Sequence, residues 1–213
     1  MVTETEPHMK YFSVVSSLFV ATLLISNTVA SKLISIGPLV LAGGIVLFPI
    51  VYIFGDILTE VYGYKLSRRI IWTGFASLAL MSVIYWVVGI LTPAPGWENQ
   101  AAYKSILGIV PRIALASMVG YWAGEFANSY VLAKMKIWTK GRHLWMRTIG
   151  STIVGEGIDT VLFVTLAFAG VFPTRLLIAA LISGYLDKVL YEIIATPITY
   201  QVVKFLKREE GCD

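Results

Sequence analysis

Charge is scarce in this chain. Asp, Glu, Lys and Arg make up only 14% of its 213 residues, and apolar residues 57%, where a soluble domain averages about 25% and about 45–50%. Mean hydropathy is +0.75. Too few polar side chains remain to clothe so much apolar surface in water. A soluble enzyme and a nucleic-acid binder are excluded, and disorder is excluded because low hydrophobicity is its signature. Cysteine is nearly absent: the single Cys212 can form no intrachain disulfide and belongs to no zinc or iron–sulfur cluster. The two histidines, His8 and His143, lie in polar flanks, which speaks against a multi-histidine metal centre. No His-Glu-x-x-His and no Gly-x-Ser-x-Gly occurs, so zinc and serine hydrolase chemistry have no footing. The expectation is a polytopic membrane protein, not an enzyme, with no cofactor and little mass outside the bilayer.

A bilayer core of about 30 Å needs roughly 20 mostly apolar helical residues. Six stretches qualify: 11–30, 40–62, 70–91, 106–133, 149–171 and 176–205. They fill the chain, which predicts one all-α membrane domain over 1–213 with six transmembrane helices. Pro197 removes one backbone donor from the last span and predicts a kink there. Gly43, Gly44 and Pro49 interrupt the second. The first span is read as a retained helix rather than a signal peptide, since its apolar run is long and Glu4 and Glu6 precede it.

Lys and Arg set the orientation. Lys10, Lys65, Arg68, Arg69, Lys134, Lys136, Lys140, Arg142, Arg147, Lys204, Lys207 and Arg208 would share one side, against Lys32, Lys104, Arg112 and Arg175 on the other. Twelve against four places both termini in the cytoplasm. The net charge of +4 then reflects cytoplasmic loops rather than nucleic acid. The basic stretch from Lys134 to Arg147 is read as such a loop.

Seven acids fall inside the spans: Asp56, Glu60, Glu125, Glu156, Asp159, Asp187 and Glu192. A charge at a helix centre costs at least a few kcal/mol, so such residues mark functional sites by default. Helical spacing groups them further. Tyr52, Asp56 and Glu60 share a face of the second span; Glu156, Asp159 and Phe163 share one in the fifth; Tyr185, Lys188 and Glu192 share one in the sixth. Lys188 and Asp159 lie at compatible depth, so Lys188 is expected to pair with Asp159 or Glu156. Asp187 points away from Lys188. Glu125, with Asn128 one turn on, is a further polar position in the fourth span. Paired acids in spans two and five suggest two inverted three-helix halves with a site at their interface, a common transporter plan. Phe48, Tyr52, Trp72 and Phe163 lie on or near the polar faces, where a flat heterocycle could stack while acids accept its N–H groups.

Four segments carry a more specific signal: ISNTVASKL (Ile25–Leu33), FPIVYIFGDILTEVYGYKLSRRIIWTGF (Phe48–Phe75), GEGIDTVLF (Gly155–Phe163) and DKVLYEIIATPITYQVVKFLKREE (Asp187–Glu210). Together and in this order they resemble the motifs of the queuosine precursor transporter family, also called the VUT family. The resemblance implies a six-helix importer of 7-cyano-7-deazaguanine, 7-aminomethyl-7-deazaguanine or queuine, compounds used for tRNA modification. It implies a fold similar to the substrate-binding subunits of energy-coupling-factor transporters, acting without an ATPase. It points to Asn27, Lys32, Tyr52, Asp56, Glu60, Trp72, Arg112, Glu156, Asp159, Lys188 and Glu192. A guanine-like ring offers N1–H and an exocyclic amine, a donor pair that one carboxylate accepts in two parallel bonds. The expected partners are this small molecule, membrane lipid and a second copy of the chain, with no direct nucleic-acid contact, in the cell (inner) membrane.

Two other classes compete, besides a channel or scaffold. One is the substrate-binding subunit of an ATPase-driven importer. The other is an intramembrane aspartyl protease, which GEGID superficially resembles; an extra residue separates Gly157 from Asp159, and Tyr62 is not followed by Asp. A channel or scaffold would need no saturable site.

Overall fold

The computed structural model describes residues 9–140 and 144–211. His8, His143 and Cys212 lie outside this set, as do the side chains of Tyr52 and Glu192. Seven α-helices are present among the described residues: α1 Phe12–Val29, α2 Phe48–Tyr62, α3 Tyr64–Ile90, α4 Gln100–Leu107, α5 Val110–Trp138, α6 Leu144–Phe168 and α7 Thr174–Glu210. Four stretches are long and apolar enough to cross a membrane: α1, α3, the run Gln100–Met135 that includes α5, and Ile149–Phe168 of α6. The chain is therefore a predominantly helical, multi-pass membrane protein. At 15 residues α2 is about 22 Å long at 1.5 Å per residue, short of the hydrocarbon core. Helix α7 is long, but Asp187, Lys188 and Glu192 break its apolar run.

The largest departure from the expected spans lies before α2. Residues 40–47 are not its first turns. They complete a β-hairpin, β1 Leu33–Ile36 with β2 Leu39–Ala42, followed by a 3-10 turn at Gly43–Val46. The reason is local. Gly37 adopts φ +59° at the first central position of the two-residue turn Gly37-Pro38, a conformation that fits a tight hairpin and suits glycine. Gly43 then follows the strand with its N–H on the Lys32 carbonyl at 2.7 Å. A methyl at Gly43 would lie 2.6 Å from the Val29 carbonyl oxygen, so only glycine lets this turn meet the end of α1. Gly43 and Gly44 thus precede α2 rather than interrupt it, and Pro49 sits in its first turn, where a missing N–H removes no helical bond. The fourth expected span is likewise divided: α4 ends at Leu107 and α5 begins at Val110.

The hairpin leans on α7, where the Val40 N–H donates to Ser183 Oγ at 3.3 Å. Between them lies one apolar core built on Ile113, Phe163, Phe168 and Ala180, with Ala30 from the end of α1. A second core joins Phe19 and Leu23 of α1, Ile57 and Leu58 of α2 and Leu206 of α7.

Helices α5 and α6 make the closest pair. Gly120 and Gly124 of α5 face α6: a methyl at Gly124 would stand 2.8 Å from the Gly155 carbonyl oxygen, and one at Gly155 would stand 2.8 Å from Asn128 Cβ. This is the small-xxx-small packing that lets membrane helices touch backbone to backbone.

The opposite end of the bundle is held by Glu210. Only 2% exposed, it accepts the N–H groups of Lys10 at 2.9 Å and Tyr11 at 2.8 Å and the Tyr62 hydroxyl at 2.9 Å. One carboxylate so joins the start of α1, the end of α2 and the end of α7, and it satisfies donors that a helix start leaves open. Burial pushes its pKa up, but the three donated hydrogen bonds and the Lys10 charge together hold it below the ordinary value of 4.5.

Candidate functional site

Helix α6 places Glu156 and Asp159 three residues apart, hence on one face. Helix α7 brings Lys188 to them. Its ammonium contacts Asp159 Oδ2 directly and lies 3.2 Å from Glu156 Oε2. The three side chains are 11% (Lys188), 17% (Asp159) and 22% (Glu156) exposed, so a low-polarity surrounding strengthens the attraction as well as the cost of breaking it. The expected pairing of Lys188 with these acids is present, with both partners rather than one.

Asp159 and Lys188 border a small pocket of about 50 Å³, below the roughly 300–1,000 Å³ of small-molecule sites, so a heterocycle enters only if the lining moves apart. Its walls come from four places: Leu41, Ala42 and Ile45 beside the hairpin, Ser117 of α5, Asp159 to Phe168 of α6, and Ala180, Gly184 and Lys188 of α7. Most of the lining is apolar. The polar lining consists of Asp159 and Lys188, which are paired, with Thr160 and Ser117. Phe163 and Phe168 supply aromatic walls, set edge to face with centroids 5.8 Å apart. Both rings belong to the apolar core, Phe163 9% and Phe168 1% exposed.

Close approach of α5 shapes this end. A methyl at Gly120 would lie 2.5 Å from Asp159 Oδ1, so the glycine leaves the carboxylate its room. The Thr160 hydroxyl is buried without a hydrogen-bond partner among the described residues. Ser117, Thr160, Gly120 and Gly124 are missing from the residues picked by charge. The Gly-x-x-x-Gly spacing from Gly120 to Gly124 was a readable signal; Thr160 adjoins Asp159 in its motif, but nothing in the sequence marks Ser117.

The remaining sequence candidates are dispersed. Arg112, in the first turn of α5, donates from Nε to the Leu166 carbonyl and from Nη2 to the Ala169 carbonyl, each at 2.6 Å. It closes the end of α6, where unpaired carbonyls favour a cation. Asn27 is buried in α1 and donates to the Leu23 carbonyl at 2.9 Å, its Oδ1 without a partner among the described residues. Trp72 is half exposed and packs on Trp122 at 5.6 Å and Phe75 at 6.3 Å between α3 and α5. Asp56 and Glu60 are exposed on α2, and Glu60 lies 3.8 Å from Lys207. Lys32 occupies the turn after α1. Glu125 is exposed on α5, while Asn128 lies against Gly155. The backbones of Tyr52 and Glu192 lie in α2 and α7. No group of three or more metal-ligating side chains occurs among the described residues.

A pocket with a charged end and aromatic walls, held inside a bundle of membrane helices, is an arrangement that suits a transporter of small solutes. Residues 42–202 match the family described as putative vitamin uptake transporter, and the chain belongs to that family. A Bacillus subtilis (strain 168) protein named probable queuosine precursor transporter is 31% identical over 168 residues, which are 78% of this chain and 73% of that one. An Escherichia coli (strain K12) protein named queuosine precursor transporter is 29% identical over 121 residues, 57% of this chain and 52% of its own. No solved structure matches. The family expected from the four sequence motifs is the family found, and it is one of transporters rather than enzymes.

Proposed function

We propose that this protein imports queuosine precursors (7-cyano-7-deazaguanine, 7-aminomethyl-7-deazaguanine or queuine) for tRNA modification, as a secondary transporter. The observation that carries the reading is the Lys188 ammonium held between Asp159 and Glu156 at the rim of a cavity walled by Phe163 and Phe168. The names of the two relatives support the substrate class. In this reading the Asp159 carboxylate accepts the N1–H and amine edge of the heterocycle, Lys188 and Thr160 meet its carbonyl, and the rings pack on its faces. Exchange of protons at the Asp159 carboxylate is the proposed energy coupling.

The same reading takes the chain as one domain crossing the cell (inner) membrane six times, with α2 and α7 as the additional crossings and both termini cytoplasmic. The cavity then lies near the middle of the membrane. Two inverted halves, α1–α3 and α5–α7, and a likeness to energy-coupling-factor subunits belong to this proposal. A homodimer would cover Asp56, exposed on α2. Asn27, Tyr52, Trp72, Arg112 and Glu192 remain proposed contributors to transport, by contact or by support; Glu60, exposed beside Lys207, is expected to contribute little.

The test is the queuosine content of tRNA in a bacterial strain that neither makes nor imports the precursors. The gene is supplied and each compound is fed separately at low concentration. Restoration by one or more of them is the expected result. Failure with all three, with the protein confirmed in the membrane, overturns the reading.

A further inference from the structure

Among the described residues Lys188 meets two carboxylates, and they differ in where they stand. Asp159 lines the cavity, as does Lys188; Glu156 does not. Along α6 the cavity wall runs from Asp159 to Phe168, and Glu156 lies in the other direction, one turn beyond the charged end. The Asp159 Oδ2 that a solute would want is occupied by Lys188. A solute with paired N–H donors can take that carboxylate only if the ammonium lets go. Released alone into a largely apolar surrounding, the ammonium would stand as an uncompensated buried charge, which is strongly unfavourable. With Glu156 Oε2 already 3.2 Å away, it need only shift toward the second carboxylate.

We infer that Glu156 is a positioning residue that receives Lys188 when solute displaces it from Asp159. Glu156 touches no solute. It acts through Lys188, so that binding exchanges one ion pair for another instead of breaking one. The inference rests on the transport reading above and deepens it: the site is an ion pair that the solute opens, and Glu156 makes the opening tolerable.

The experiment is concentration-dependent uptake of the best of the three compounds by wild type and by the Glu156→Gln, Lys188→Gln and doubly substituted proteins, normalised to the amount in the membrane. Glu156→Gln is expected to raise the apparent KM about 10-fold or more and to leave the maximal rate within about twofold, the pattern of lost binding rather than a lost transport step. Glu156→Asp, which restores a carboxylate, should recover much of the loss. In the Lys188→Gln background no ammonium needs a second partner. There Glu156→Gln should change KM by less than about twofold, a non-additivity that independent roles would not give. An unchanged KM in Glu156→Gln, a loss of maximal rate instead, or the same KM increase in both backgrounds overturns the inference while leaving transport standing. If Glu156→Gln alone fails to reach the membrane, Glu156→Ala takes its place in both backgrounds, and the same non-additivity decides. Uptake of none of the compounds by the wild type overturns the transport reading, and this inference with it.

Discussion

Helices α2 and α6 each carry two acids at helical spacing, and the structure treats them oppositely. Asp56 and Glu60 stand exposed on α2, with Glu60 3.8 Å from Lys207. Glu156 and Asp159 turn inward on α6 and close on Lys188. The difference lies in what packs against each helix. Gly120, Gly124 and Gly155 bring α5 backbone to backbone with α6, which fixes the rotation of α6 and aims its acidic face at α7. Spacing creates an acidic face; a close-packed neighbour decides which way it looks.

That comparison can be broken most sharply at Asp159. Asp159→Asn leaves Lys188 short of its nearest partner and the solute without its carboxylate. Breaking a buried pair costs about 3–5 kcal/mol, and uptake should fall at least about 100-fold while the protein still reaches the membrane. Normal uptake by this variant would sink the site assignment. Next comes the glycine contact. Gly120→Ala puts a methyl 2.5 Å from Asp159 Oδ1 and should cost about 1–3 kcal/mol by overpacking, read as about a 10-fold loss of uptake and a lower thermal midpoint in detergent. Wild-type behaviour would show that α5 does not set the position of the carboxylate.

A third variant probes the far end. Glu210→Ala leaves three donors unserved and should lower stability by about 1–3 kcal/mol. The Glu210 carboxyl titrates below its ordinary value of 4.5 in the folded chain. Its stabilisation is therefore complete above that value and lost as pH falls through and below it. The gap in thermal midpoint between wild type and variant should be full at neutral pH and shrink under acid; a gap independent of pH would contradict this account. The smallest effect is expected at Glu60. Its pair with Lys207 is exposed, and such pairs contribute about 0–1 kcal/mol, so Glu60→Gln should change uptake less than about twofold in the same tRNA assay. A large loss there would restore the symmetry between α2 and α6 that the exposed carboxylates argue against.

Much of the site was legible. The cost of charge in a membrane singled out Glu156, Asp159 and Lys188, and helical rise put Asp159 and Lys188 at one depth. Less was legible in the fold. The apolar run after Ala30 looks the same whether it forms a hairpin or a helix, because β-branched and leucine residues suit both; the Gly37-Pro38 turn decides. Arg112 counted as a charge available for a solute, yet it closes the end of α6, and only the return of the chain through Ala169 brings those carbonyls within reach.

The four motifs marked the family; composition and spacing by themselves determined that this is a multi-pass membrane protein and which ionisable residues have to be explained. Those facts are local: they follow from the cost of moving each side chain into hydrocarbon and from 3.6 residues per turn. Only the tertiary structure decided that Asp159 faces a cavity and Glu156 stands behind it, that Thr160 and Ser117 join them, and that Glu210 ties the two ends of the chain together. Those depend on the rotation of one helix against another, which is set by contacts between residues far apart in sequence.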